Sequence, residues 1–146
     1  MSYTERFSEQ FALLDEMVSD SYAVGVHDSG YVSLANYARA VVVIQVGEMQ
    51  TSATFDVDVE QATDTSGTSA KAITDKSITQ MTQAGGDGDE TALVEILCDE
   101  LDVDNGFDCI NVEVTVGTDA VEASVLVLGF CAHYEPVTHG YAEVVT

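Results

Sequence analysis

The run Ala40-Val41-Val42-Val43-Ile44-Gln45-Val46-Gly47 constrains this chain most. β-branched residues this dense favour an extended backbone, and with so few polar interruptions such a strand wants apolar neighbours on both of its faces. Phe55-Asp56-Val57-Asp58-Val59-Glu60 follows with strict alternation, so Phe55, Val57 and Val59 share one face and the acids the other. Between them and the next apolar residues lies Thr63 to Ser69, with no large apolar side chain, which reads as an exposed loop. A fully buried strand followed by a half-wet one is the grammar of a layered β-structure, not of βαβ units.

The rest of the chain extends that pattern. Residues 76–83 and 91–101 read as strands. Ile110, Val112, Val114 and Val116 alternate with Asn111, Glu113 and Thr115 in the clearest strand of the sequence. Val121 to Phe130 gives another, with Val125 and Val127 opposite Leu126, Leu128 and Phe130. Val24 and Val26 suggest a short strand, and residues 70–75 leave room for a helical turn. Asn105-Gly106 predicts a hairpin turn. At the N-terminus, Ser2 and Glu5 have capping-box spacing. Phe7, Phe11, Leu14 and Val18 recur at helical intervals, predicting a helix over about residues 3–18, packed on its own sheet or reaching a neighbouring subunit as an arm. The expected fold is mainly β: an antiparallel β-sandwich, jelly-roll-like, with a short N-terminal helix. Its expected divisions are an N-terminal helix or arm (1–30), the sandwich (31–131) and a C-terminal tail or arm (132–146). The tail holds the one proline, Pro136, and residues 141–145 as a short strand or arm.

With 146 residues and 46% hydrophobic content, one domain can bury a real core. Its 26 acidic residues stand against 4 Lys plus Arg, a formal net charge of −22. That charge would repel phosphate backbones and anionic membrane surfaces, so neither nucleic acid nor membrane is an expected partner. Self-repulsion at this charge strains a compact state until salt screens it. A high-salt setting accounts for the balance; so does an acidic surface facing a basic partner. No signal peptide or membrane-length apolar run is read from the sequence.

Catalytic patterns are missing from the sequence. His27, His133 and His139 are scattered, and no nucleophile elbow, phosphate loop or dinucleotide fingerprint occurs. The expectation is a protein that is not an enzyme and has no cofactor. Cys98, Cys109 and Cys131 form no C-x-x-C pair and read as small core residues. One cation site is a candidate: Asp102, Asp104 and Asp108 place oxygens at alternate positions about Gly106, as calcium loops do. The spacing lacks the twelve-residue calcium loop and its terminal Glu, and a hairpin turn with Asx side chains bonded to its own backbone is the preferred reading of the string. Gly85 to Glu90 carries a weaker form of the same signal.

Three stretches carry a family likeness. They are Tyr37 to Gly47, Gln61-Ala62-Thr63-Asp64-Thr65-Ser66-Gly67-Thr68-Ser69-Ala70-Lys71-Ala72-Ile73, and Glu100-Leu101-Asp102-Val103-Asp104-Asn105-Gly106-Phe107-Asp108. Over about residues 31–131 the chain resembles small virion structural proteins encoded beside the major capsid gene in tailed phages and prophages. The resemblance implies a head-associated protein made in the host cytoplasm and carried on the head exterior. It implies the major capsid protein and further copies of itself, as trimer or pentamer, as partners, and it brings no catalytic residues. An accessory capsid role (decoration, cement or vertex turret) is the leading expectation. A head–tail connector or tail component and a cation- or glycan-binding surface sandwich are the alternatives. The acidity departs from the family pattern and suggests a virus of salt-loving hosts.

Overall fold

The computed structural model describes residues 4–134 and 137–146, so the capping-box residue Ser2 and Pro136 lie outside the described residues. One short helix, α1 (Phe7–Gln10), precedes ten strands. In chain order these are β1 (Ala12–Tyr22), β2 (Gly25–Asp28), β3 (Val32–Ser33), β4 (Tyr37–Met49), β5 (Thr54–Ala62), β6 (Lys71–Ser77), β7 (Met81–Thr82), β8 (Thr91–Leu97), β9 (Cys109–Gly117) and β10 (Val121–Ala132). All pairings are antiparallel. A four-stranded sheet has the order β1-β10-β4-β8, and a six-stranded sheet has β2-β9-β5-β6, with β3 on β9 and β7 on β5. The first long strand pairs with the last, and the two orders, β1-β10-β4-β8 and β2-β9-β5-β6, are those of the double Greek key of a jelly roll.

The core lies between the sheets. Val42, Ile44 and Val46 of β4 and Val125 and Val127 of β10 face Phe55, Val57 and Val59 of β5 and Val112, Val114 and Val116 of β9, all buried in one cluster. Each strand contributes every second residue, because successive side chains of a pleated strand point to opposite faces.

Several expectations are corrected. Residues 12–18 are strand, not helix, and the helix keeps one turn, in which Arg6 N donates to Glu9 Oε2 at 2.7 Å. β1 pairs with β10 through two bulges, after Leu13 and after Met17, and each bulge slips the alternation by a residue. The slips place Phe11, Leu14 and Val18 at intervals that mimic a helix. Residues 71–77 form β6 in place of a helical turn, and the strand expected over 76–83 shrinks to β7. β8 stops at Leu97, where a 3-10 turn begins at Cys98. The Asn105-Gly106 step does not make a hairpin. Its flanking strands belong to different sheets, and Gly106 sits at φ 83° ending a 3-10 turn, Val103–Asn105, on the crossover between them. The tail forms no strand in its described part. Val137 N donates to Glu9 O at 3.3 Å, and Gly140 packs on the backbone of Leu13 so closely that a Cβ there would collide with its carbonyl.

Candidate functional site

The two outer faces of the sandwich differ in kind, and each follows from the residues left over once alternation has filled the core.

On the six-stranded sheet the outward residues are acidic. Register places Asp28 opposite Glu113 and Glu113 opposite Asp58, a row of carboxylates across β2, β9 and β5. Glu60 stands opposite Asn111 in the next row. Carboxylate oxygens of Asp28, Glu60 and Glu113 come within 4.8 Å of one another, the one such group of three among the described residues. Burial, then the charges of Glu60, Asp28 and Asp58, push the Glu113 carboxyl above its ordinary range. Asn111 is 1% exposed and gives one member of the cluster a donor: its Nδ2 donates to Asp28 Oδ1 at 2.8 Å, and its Oδ1 accepts from Gly30 N at 3.0 Å. Tyr31 Oη donates to Glu60 Oε2 at 2.7 Å, and burial and that bond push its phenol up to about 12. Like charges directly opposite on a sheet destabilise it, so this row costs the isolated chain stability. Its oxygens are of the hard type that divalent cations take.

At the centre of the four-stranded sheet the outward residues are apolar, with Glu16 opposite Leu126, Glu95 opposite Val41, and Gln45 and Ser124 paired in a polar row beyond them. Val41 and Val43 of β4 lie beside Leu128 and Leu126 of β10, and Val43 also lies beside Leu93 of β8. Leu13 of β1 extends the row of Leu128. Leu93 is 61% exposed and Leu126 37%. The face continues into an aromatic ledge where Phe130 stacks on Phe11 at 5.0 Å and Phe11 on Phe7 at 4.3 Å. The side chain of Arg39, between Phe130 and Leu97 in the register, makes no ion pair or hydrogen bond among the described residues. The central run is therefore not buried on both faces. Its inner half is core and its outer half, Val41 and Val43, is only half-covered.

The candidate cation loop is occupied differently. Lys71 takes one oxygen of Asp102 and Asn105 Nδ2 the other at 2.7 Å; Lys71 and then Asn105 hold that carboxyl below its usual range. Lys71 Nζ also sits 4.0 Å from the Phe107 ring centre, while Asp102 N donates to Gln61 Oε1 at 2.8 Å. Asp104 is exposed, and Asp108 faces Cys109 Sγ at 3.2 Å. Asp102, Asp104 and Asp108 are not gathered as a group. The gathered set, Asp28, Glu60 and Glu113, escaped sequence reasoning because its members come from three strands. Alternation alone did place Glu60 with Asp58 and Glu113 with Asn111 on outward faces. Of the cysteines, Cys109 is buried and Cys98 half-buried, but Cys131 is exposed, which corrects its reading as a core residue.

Fold and faces together define an antiparallel β-sandwich of jelly-roll topology, with a row of carboxylates on one exterior and an apolar patch on the other. No family model matches the chain, and no curated protein matches it. Among solved structures, the chain is similar to one in the structure of infectious bursal disease virus Gx strain, with 12% identity and a TM-score of 0.33. The match covers 86% of this chain and 32% of that one, so this chain spans less than half of the neighbour's length. A likeness at that score carries no argument about fold or function.

Proposed function

We propose that this is a virion structural protein, an accessory capsid protein of the decoration, cement or turret type, from a virus whose hosts live in salt. It acts by covering joints between capsid subunits, with the major capsid protein and its own copies as partners, and it catalyses nothing. The observation that carries this reading is the apolar exterior of the four-stranded sheet. Val41, Val43, Leu93, Leu126 and Leu128 form one contiguous outer surface, and such surfaces mark sites that another macromolecule covers. The resemblance read from residues 31–131 is the reason to name the major capsid protein as that partner.

Purified particles test this. The reading expects the chain on the head exterior in many copies, bound to the major capsid protein. A few copies at one vertex would favour a connector or tail component, and absence from particles that assemble normally would overturn the proposal.

A second reading, a cation-binding surface sandwich, is favoured by the Asp28, Glu60 and Glu113 cluster alone. Calorimetry with calcium separates it: heat from the wild-type chain that disappears in Glu60→Gln supports it, and no heat at millimolar calcium dismisses it.

A further inference from the structure

We propose that Asn105 is a modification site: its side-chain amide is lost by attack of the Gly106 backbone nitrogen, at a rate set by the pairing of Lys71 with Asp102. The inference stands apart from the capsid reading and needs no co-reactant but water.

The chain has three asparagines, and only Asn105 is followed by glycine. Asn36 precedes the bulky Tyr37, and Asn111, which is buried, precedes the β-branched Val112. Gly106 has no Cβ to obstruct its nitrogen on the way to the neighbouring side chain. Both residues are exposed, on the crossover between β8 and β9. In the reaction the Gly106 nitrogen bonds to Cγ of Asn105 and gives up its proton. The bond from Cγ to Nδ2 breaks, and ammonia carries that proton away. Water then opens the resulting succinimide at either carbonyl, leaving an aspartyl or an isoaspartyl residue. Nothing is oxidised or reduced; one amide becomes one carboxylate.

The folded turn restrains both reacting groups. Gly106 N donates to Val103 O at 2.9 Å, which engages the nucleophile. Asn105 Nδ2 donates to Asp102 Oδ1 at 2.7 Å, which pins the leaving amide. Lys71 holds the other oxygen of Asp102 and lies over the Phe107 ring. Asn105 N and Phe107 N both donate to Asp102 O, at 3.1 and 3.2 Å, and so close the turn. Reaction therefore runs through a locally opened turn, and whatever loosens Asp102 speeds it. Once formed, the new carboxylate has no donor to give Asp102 and sits beside Asp102 and Asp104 as a further negative charge. The crossover over Phe107 is left looser than before.

Peptide mapping by mass spectrometry tests this on the full chain, incubated at neutral pH folded and in urea. The expected result is conversion at Asn105 with an isoaspartyl product, Asn36 and Asn111 staying intact in the folded chain. Conversion in the folded chain should be slower than in urea by about tenfold or more, since two bonds on the reacting groups must first open. Lys71→Met should speed it about threefold in the folded chain, as befits a half-exposed ion pair, and leave the rate in urea unchanged. Val121→Ala, which weakens the core away from the crossover, should leave the folded-chain rate unchanged. Circular dichroism checks that each variant folds, and Asp102→Ala, which removes the same contact from the other side, keeps the test open if Lys71→Met does not. An intact Asn105 in the folded chain, or an Asn36 that converts as fast, overturns the site. No acceleration by Lys71→Met, or an equal one by Val121→Ala, overturns the control by Lys71.

Discussion

Lys76 and Glu100 form an ion pair at 2.8 Å, and together they plug the free edge of β8. Lys76 Nζ donates to Glu95 O at 2.8 Å, while Glu100 Oε2 accepts from Leu97 N at 2.9 Å. Those two backbone groups face away from β4, where an incoming strand would bond. Edge strands with unpaired backbone groups invite aggregation, and charged side chains laid along them are a standing defence. Lys76→Met should therefore cost about 1 kcal/mol in urea unfolding and raise light scattering on storage. Unchanged stability and scattering would show that the plug does nothing.

Glu100 and Glu113 should respond to acid with opposite signs. Hydrogen bonding from Lys76, then from Leu97 N, lowers the Glu100 carboxyl below its ordinary 4.5. Its contribution is complete above the unfolded value and is lost as pH falls through the folded one. Burial and neighbouring carboxylates raise Glu113. Its ionised form strains the fold, so stability rises as pH falls through its raised value toward the unfolded one. Glu113→Gln should stabilise the chain at pH 7 by about 0.5–1 kcal/mol, judged from opposed like charges on a sheet. The gain should vanish by about pH 4, where both forms are neutral. A gain that persists in acid would contradict the assignment.

Salt should act through the same row. With Asp28, Glu113 and Asp58 aligned across three strands, the melting temperature should climb from about 0.1 M to ~3 M KCl as the screening length shrinks to a few ångströms or less. Glu113→Gln should flatten the climb. A melting temperature indifferent to salt would remove the case for a saline host.

At the crossover after β8, Phe107 should matter far more than the acids around it. Its ring is buried beneath Lys71, so Phe107→Ala should cost about 3 kcal/mol. Asp104→Ala, at an exposed position, should leave both the unfolding midpoint and its response to calcium unchanged. Loss of a calcium response in that variant would restore the calcium-loop reading.

How much of this was legible in the sequence depended on how faithfully each strand kept its period. β5, β9 and β10 alternate without interruption over their cores, and their inward and outward sets were readable residue by residue. β1 was not, because bulges after Leu13 and Met17 slip its phase and leave apolar residues at helical spacing. The Asn105-Gly106 step promised a hairpin because the dipeptide specifies a tight turn but not which sheet the next strand joins. The run from Ala40 to Val46 was read as buried on both faces, and its outward half proved only half-covered. That surplus of apolar residues was already the sign of the exterior patch. The acidic cluster needed the pairing of β2, β9 and β5, which no single stretch contains.

The most direct test of the central claim, that the apolar exterior of the four-stranded sheet is a contact surface, is quantitative binding of the folded chain to the capsids proposed as its partner, with and without Leu126→Glu. Wild-type protein should sediment with the particles, and the folded variant should stay in the supernatant, its occupancy reduced at least tenfold. Equal occupancy of the two proteins would contradict the account.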